Sequence, residues 1–349
     1  MDRLKNLLAN DWLRAGLLAV GILVFLHVFV IRWVTVRSTS MYATLYPGDL
    51  VGVSRWPVWT GFDRGDIAVF RDPLQDRKAF ERRQLLVKRI VGLPGDEIIL
   101  KDGVLFVNGE RLSFPGETHS YLVRLKQGTD PKAVLADLGL PPAFVPPGRN
   151  FIELPLNQEM ADGIDKRADV VNVARMSTAT GAPRHIFPFS PYFHWNSDDY
   201  GPLRVPAKGD TVRIDPTTIP LYDRIISRYE GRKLEASGNT LLLDGQPLQR
   251  YVIDANYYFV LGDSRHYSAD SRFWGFVPAD HMVGRASFVL VSQDPDNGGF
   301  RKEGSSKAFD TRLLLRHALA LRFHPRPLDH LVGLLWWERS LWDLLPALP

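Results

Sequence analysis

The N-terminal region contains one apolar run that any fold of this chain has to accommodate. Ala15 to Ile31 is 17 residues long, carries no charged residue and has His27 as its only strongly polar side chain. With Trp33 and Val34 the run reaches about 20 residues, the length at which a helix crosses a hydrocarbon layer of roughly 30 Å. We therefore expect a membrane-spanning helix over residues 15–34.

A cleavable secretion signal is the alternative explanation for an apolar run at the N-terminus. The run is long for such a signal, and it ends in Arg32-Trp33, a pair typical of an interfacial anchor rather than of a small-residue cleavage site. The distribution of basic residues does not indicate which end of the helix faces the cytoplasm. Three basic residues precede the helix within residues 1–14, and three follow it by residue 55. Residues 1–14 are interpreted as a cytoplasmic segment.

After this run the pattern changes to short strands. Apolar or alternating segments are bounded by Gly, Pro and Asp, which is typical of β-structure. They are 50–53, 66–70, 85–91, 97–100, 104–107, 257–261 and 286–292. Asp102-Gly103 and Asp244-Gly245 are hairpin signals. Short strands at irregular spacing predict a mostly β, coiled antiparallel core rather than βαβ repeats.

The middle of the chain has a different character. Residues 111–250 contain helix-like segments at 131–138 and 218–230, with loops rich in proline and aromatic residues. A segment of this length predicts an inserted α+β subdomain, which divides the β core into residues 38–110 and 251–292.

The C-terminal part, residues 293–349, begins as a polar linker and continues as a leucine-rich tail with three tryptophans after residue 335. Four charged residues between 329 and 343 divide the tail, which argues against a second membrane span. An amphipathic helix at a membrane surface fits the pattern better, and a helix packed on the protein itself is the alternative.

Composition excludes several classes of protein. The chain has 349 residues, a net charge of +4 and no cysteine. Its basic residues are scattered, so nucleic-acid binding is not expected. Without cysteine there is no disulfide, thiol catalysis or thiolate metal site. The nine histidines show no metal spacing, and we expect neither a metal nor a cofactor.

Three polar stretches carry the chemistry. Ser38-Thr39-Ser40-Met41 follows the apolar run, Lys88 lies inside the apolar segment 85–91, and residues 262–272 hold more hydroxyls and charges than packing requires. A serine, a lysine among apolar residues and a hydroxyl/carboxylate loop are the parts of a serine–lysine hydrolase.

A lysine accepts a proton only when it is neutral, and its ordinary pKa is about 10.4. Burial among apolar neighbours lowers that pKa. Strand alternation places Lys88 and Arg89 on opposite faces, so one of them can face the serine. Taken alone, a lysine in a strand more often lies at the edge of a sheet with its charged ammonium group in water. A serine–histidine pair using His266 is a weaker reading, since the sequence indicates no partner acid.

Together these stretches resemble bacterial type I signal peptidase (leader peptidase), a serine–lysine protease family. The resemblance covers about a quarter of the chain, 38–96 and 257–290. The matching motifs are Ser40-Met41 with Thr44-Leu45 and Gly48-Asp49; Lys88-Arg89 with Gly92-Leu93-Pro94-Gly95-Asp96; and Gly262-Asp263-Ser264 with Ser268, Asp270-Ser271-Arg272 and Trp274-Gly275-Phe276-Val277-Pro278. Ala43 departs from the family's usual proline, and Thr39 from its frequent glycine.

The resemblance implies a role for each matching residue. Ser40 would be the nucleophile, and Lys88 the general base and later the acid. Ser38 would form an oxyanion hole with the Ser40 N–H, and Ser268 would orient the lysine by a hydrogen bond. The remaining implied residues support the site or line the substrate: Asp263 paired with Arg89, Asp270 paired with Arg272, and Met41 with Leu86 at the substrate.

The family function implied is a membrane-bound serine endopeptidase that removes signal peptides from exported preproteins. The implied setting is the bacterial inner membrane, crossed once, with the catalytic domain on the periplasmic face beside membrane lipid and near the secretion translocon. Gram-negative members commonly carry an insertion at this position. Two alternatives stay open: a specialised protease that matures one secreted partner, and a non-catalytic membrane-tethered assembly factor.

Overall fold

The computed structural model describes residues 11–25, 30–137, 150–178, 185–237, 240–293, 298–301 and 309. The chain divides into two units, Met1–Lys307 and Ala308–Pro349. All described residues except 309 belong to the first unit. The predicted amphipathic tail therefore lies outside the described residues.

Strands dominate this part of the chain. In chain order they are β1 (Ile31–Thr35), β2 (Asp49–Ser54), β3 (Ile67–Arg71), β4 (Leu85–Gly92), β5 (Glu97–Lys101), β6 (Val104–Val107), β7 (Glu110–Leu112), β8 (His119–Leu125), β9 (Phe151–Leu156), β10 (Val170–Arg175), β11 (Tyr200–Arg204), β12 (Thr211–Arg213), β13 (Leu234–Ser237), β14 (Thr240–Leu243), β15 (Gln246–Pro247), β16 (Arg250–Val252), β17 (Tyr257–Leu261), β18 (Val277–Pro278) and β19 (Met282–Ser292).

The helices are fewer and mostly short. Among the described residues they are α1 (Asp11–Phe25), α2 (Pro57–Thr60), α3 (Pro131–Asp137), α4 (Gln158–Asp165), α5 (Ile219–Arg224) and α6 (Ser271–Trp274), with a π-helical turn at Ile225–Tyr229 and short 3₁₀ helices at Phe80–Arg82, Arg265–Tyr267 and Ala279–His281. The two helix-like segments predicted at 131–138 and 218–230 are confirmed by α3 and by α5 with the π-helical turn.

The apolar run near the N-terminus forms two kinds of structure. Its first part is α1, but Ile31–Thr35 is strand β1, which pairs antiparallel with β2 and places Val34 opposite Val51. The prediction of one helix over 15–34 is therefore wrong for its last residues, because their backbone groups bond to a neighbouring strand instead of along a helix. Among the described residues, no helix is both long and apolar enough to cross a membrane.

The largest sheet has seven strands in the order β1-β2-β19-β3-β4-β17-β18, and every neighbouring pair in it is antiparallel. The long strand β19 pairs with both β2 and β3, and its register shifts at several points. Such bulges bend a strand and increase its twist. The prediction of a mostly β, coiled antiparallel core is confirmed.

Both predicted hairpins form. Asp102 and Gly103 join β5 to β6 with φ of 47° and 71°, and Asp244 and Gly245 join β14 to β15 with φ of 50° and 85°. Two successive positive φ angles are what a tight hairpin turn between right-twisted strands requires.

Residues 111–250 are distributed over several sheets. Strands β8, β9 and β10 form a three-stranded sheet with a core of its own, which also includes side chains from α3 and α4. Strand β11 instead pairs with β5 and joins the sheet β11-β5-β6-β7. We call the first group, residues 118–175, the inserted sheet.

Strand β4 lies inside the seven-stranded sheet, between β3 and β17. It carries Lys88, which lies opposite Ala68 of β3. Ile90 and Val91 of the same strand are fully buried in two different hydrophobic clusters. The lysine therefore stands on one of the best-fixed segments of the molecule.

Gly284 provides a test of how closely the sheet is packed. A Cβ at this position of β19 would run into the Ser54 carbonyl oxygen and the Val53 side chain. We expect Gly284→Ala to lower the free energy of unfolding by about 1–3 kcal/mol, since the clash is with a backbone atom that cannot rotate away. Urea unfolding followed by tryptophan fluorescence measures this.

Gly163→Ala is the matched control. Gly163 lies in α4, where an added Cβ would meet no atom within 4 Å beyond its chain neighbours and the backbone of its own helix. There alanine should raise stability by about 0.5–1 kcal/mol, because glycine loses more backbone entropy in a helix. Equal effects of the two substitutions would contradict the packing described for β19.

Candidate active site

The segment between β1 and β2 forms a tight loop around the first serines; we call residues 38–46 the serine loop. The Tyr42 N–H donates to the Thr39 carbonyl at 3.0 Å, and the Thr44 and Leu45 N–H groups both donate to the Met41 carbonyl at 2.8 Å. These bonds close two short turns. Ser40 stands at their start and is 5 % exposed.

Ser40 and Lys88 meet at the centre of the site. The lysine Nζ lies 2.5 Å from the serine Oγ, and Lys88 is only 4 % exposed. The two residues are 48 positions apart in sequence and lie on different elements, the serine loop and β4. The structure thus brings together the two groups that the sequence analysis selected as nucleophile and base.

Burial lowers the pKa of Lys88 from 10.5 to about 8. Loss of water around the ammonium group is the largest cause, because a charge is costly where it cannot be solvated. The carboxylates of Asp270 and Asp263 act in the opposite direction, and the Arg272 guanidinium adds to the lowering. The amine therefore becomes neutral within a pH range at which an ordinary lysine stays charged.

One buried ion pair lies beside this centre. Arg89 Nε and Nη2 each donate to one carboxylate oxygen of Asp263 at 2.7 Å. Asp263 also accepts from Thr44 Oγ1 at 2.5 Å, and Arg89 Nη1 donates to the Gly65 carbonyl at 2.7 Å. The predicted pairing of Asp263 with Arg89 is confirmed, and it connects β4 to the serine loop.

A second buried pair is formed within residues 262–272, which we call the charged loop. Arg272 Nε and Nη2 donate to the two Asp270 oxygens at 2.9 and 2.8 Å. Burial acts to raise the pKa of Asp270, but the adjacent Arg272 guanidinium and the Gly262 N–H hold it below its ordinary value. The predicted Asp270–Arg272 pair is confirmed, and its carboxylate stays charged.

Ser268 is buried at 3 % exposure in the charged loop. Its Oγ has no hydrogen-bond partner in the part of the chain that the structure describes, so the expected hydrogen bond to Lys88 is not formed. Ser268 lies instead against Gly262, where a Cβ would run into both the Ser268 side chain and the Ser40 carbonyl oxygen. Only glycine permits the charged loop to approach the serine loop this closely.

Ser38 lies on the open side of the pair. Its Oγ is 3.1 Å from Ser40 Oγ, and the residue is exposed. Within the described residues, the Ser40 backbone N–H donates to no protein acceptor. A hydroxyl and an N–H beside the same serine oxygen are the kind of donors that stabilise a developing oxyanion.

The two residues expected at the substrate differ in exposure. Met41 is only 1 % exposed and so belongs to the core beneath the loop. Leu86 of β4 is half-buried against the cluster that contains Phe62 and Phe70. Its contact with a substrate stays a prediction.

His266 has a partner that the sequence did not reveal. Its Nδ1 accepts the Ser120 N–H at 3.0 Å, and its Nε2 lies 2.9 Å from Asp198 Oδ1. With Nδ1 as acceptor, Nε2 carries the hydrogen and donates to the carboxylate. Both ring nitrogens are thus occupied, so His266 is not available as a base for Ser40.

Arg265 was also missed by sequence reasoning. It is 2 % exposed, and its Nη2 lies 2.9 Å from Glu117 Oε2. Like Asp198 and His266, these partners lie far apart in sequence, and no local pattern indicates that they meet. Outward-pointing charge in a loop is the ordinary expectation for each of them.

Comparison with known proteins gives a consistent result. The family model described as "Signal peptidase, peptidase S26" matches residues 9–162 and 201–291. Signal peptidase I of Bacillus licheniformis is 27% identical over 181 residues, which cover 52% of this chain and 89% of that protein. Signal peptidase I P of Bacillus subtilis subsp. natto is 29% identical over 183 residues, covering 50% and 92%.

A solved signal peptidase I from Enterococcus faecalis V583 aligns with 65% of this chain and 97% of its own, at 18% identity and a TM-score of 0.24. The family model, by contrast, matches well over half of the sequence and includes the serine loop, β4 and the charged loop. This chain belongs to the signal peptidase family, peptidase S26.

Proposed function

We propose that the chain is a serine endopeptidase that cleaves signal peptides from exported preproteins, with Ser40 as nucleophile and Lys88 as base. The observation that carries the proposal is the 2.5 Å contact between Lys88 Nζ and Ser40 Oγ at a lysine whose pKa is lowered to about 8. Relatives named signal peptidase I support the substrate class.

The reaction proceeds in two halves. Neutral Lys88 takes the proton from Ser40 Oγ while that oxygen attacks the scissile carbonyl carbon. The resulting ammonium group then gives its proton to the leaving amine as the peptide bond breaks, which leaves an ester on Ser40. In the second half neutral Lys88 takes a proton from water, the hydroxide attacks the ester, and the lysine returns the proton to Ser40 Oγ.

Ser38 Oγ and the Ser40 N–H would bind the oxyanion in both halves. Their support is position, since Ser38 Oγ is 3.1 Å from Ser40 Oγ and the residue is exposed. The two Arg–Asp pairs would fix the loops and balance charge around Lys88. The Oγ of Ser268 is buried without a partner among the described residues. It would form a hydrogen bond to the Lys88 amine or to the water that attacks the ester.

We further propose a single-pass enzyme at the bacterial inner membrane, facing the periplasm, with lipid and the secretion translocon as neighbours. The uncharged run that begins at Ala15, of which residues 15–25 lie in α1, supports this location. Residues 38–110 and 251–292 would form the catalytic core, since they hold both reacting groups and both charged pairs, and residues 111–250 the insertion.

The first test removes either reacting group. We expect Ser40→Ala and Lys88→Ala each to abolish cleavage of a purified preprotein by the full-length enzyme in detergent, with no further loss in the double variant. Lys88→Arg should also be inactive, because a guanidinium group stays protonated near neutral pH. Gel mobility of the product measures cleavage.

Arg64→Ala is the control for this series, because its partner Asp96 lies outside the dyad and its removal should leave cleavage near the wild-type rate. Circular dichroism checks that each variant is folded. Wild-type turnover by Ser40→Ala or by Lys88→Ala would rule out the dyad.

Cleavage should depend on pH through Lys88. Because the neutral amine is the active form, kcat/KM should rise about tenfold per pH unit below pH 8 and level off above about pH 9. The sign follows from the lowered pKa of about 8. A rate that stays constant between pH 6 and 10 would point to another base.

Ser38→Ala should reduce kcat by about 10²–10³-fold, the usual effect of removing one oxyanion donor, with a smaller change in KM. Ser38→Thr keeps the hydroxyl and should retain most activity. Steady-state kinetics on a peptide with alanine at the first and third positions before the cleaved bond gives both constants. A KM effect alone would assign Ser38 to substrate binding instead.

A further inference from the structure

One side chain of the serine loop is a buried member of a core outside the seven-stranded sheet. Tyr42, two residues after Ser40, is 3 % exposed. It packs in the core of the inserted sheet, whose other buried members among the described residues all come from positions 121–170. A residue of the serine loop is thus built into a core that otherwise belongs to another part of the chain.

Two neighbours strengthen this packing. The ring of Tyr46 meets that of Tyr42 edge to face, with centroids 5.1 Å apart. Ala43 and Tyr46 are partly buried against the same core. Such aromatic pairs stabilise beyond the area that they bury, so the second half of the serine loop is held by the inserted sheet.

The backbone of the inserted sheet holds the charged loop as well. Thr118 lies directly before β8; its N–H donates to the Asp263 carbonyl at 2.8 Å, and its carbonyl accepts the Arg265 N–H at 2.9 Å. Ser120 N–H donates to His266 Nδ1 at 3.0 Å. Thr118 Oγ1 also donates to the Tyr42 carbonyl at 3.4 Å, so the start of β8 connects the loop that carries Ser40 to the loop that supports Lys88.

We propose that Tyr42 is a positioning residue: through it the inserted sheet holds the serine loop so that Ser40 Oγ stays against Lys88 Nζ. The inference rests on the proposed function, because it concerns the same dyad. In the described part of the chain, the ring packs against Tyr46 and the core of the inserted sheet. It acts through the backbone of the serine loop, in which only Met41 separates it from Ser40.

The test compares Tyr42→Ala with Tyr42→Phe and Tyr42→Leu in the full-length enzyme, using the peptide substrate described above. Tyr42→Ala should lower kcat about 100-fold with KM within about threefold, because a small displacement of a nucleophile costs rate rather than binding. The pKa seen in the pH–rate profile should also rise, as water reaches the loosened lysine. Tyr42→Phe should stay within about twofold of wild type.

Leu125→Ala is the matched control. Leu125 is 1 % exposed in the same core, but it stands at the far end of β8 from Thr118. It should lower the melting temperature while leaving kcat and the kinetic pKa unchanged. If Leu125→Ala lowered kcat as much as Tyr42→Ala does, a general loosening of the inserted sheet would explain both losses. That result would overturn the proposal.

If Tyr42→Ala fails to fold by circular dichroism, Tyr42→Leu decides, with an expected loss between those of the other two variants. Wild-type kcat and kinetic pKa in the folded Tyr42→Ala or Tyr42→Leu enzyme would also overturn the proposal. Cleavage by Ser40→Ala would instead refute the proposed function, so the two failures are distinguishable.

Discussion

The site depends on keeping one amine out of water without giving it a fixed counter-ion. Lys88 is surrounded by charges that are already matched: Arg89 with Asp263, and Arg272 with Asp270. Both carboxylates act to raise the pKa of Lys88 and the Arg272 guanidinium acts to lower it, but loss of water around the amine is the largest effect. Desolvation then governs the pKa of the lysine, and the amine can act as a base.

The fold assigns different elements to the two reacting groups. Lys88 stands on a strand with hydrogen-bonded neighbours on both sides, and Ser40 stands on a loop. A base on a rigid strand is positioned by the sheet itself, while a serine on a loop needs contacts from outside. Those contacts come from the charged loop, where Gly262 permits close approach, and from the inserted sheet.

Local features of the sequence predicted local structure well. Asp102-Gly103 specified a hairpin through backbone preference, and Lys88 was identifiable because a charged residue interrupts an apolar strand. The boundary at Ile31 was not predictable, since an apolar strand and an apolar helix have the same composition. Pairs such as His266 with Asp198, and the burial of Tyr42 in a distant core, depend on contacts between remote segments that no local pattern encodes.

The lowered pKa of Lys88 also determines what fraction of the substrate-free enzyme holds the neutral amine at a given pH. With a pKa of about 8, only roughly one molecule in ten holds the neutral amine at pH 7. A substrate that excluded water near the amine would enlarge that fraction, because desolvation disfavours the charged form. Occupancy of the site and the proton state of Lys88 would then be linked, so that binding of a substrate would itself favour the form of the amine that acts as a base.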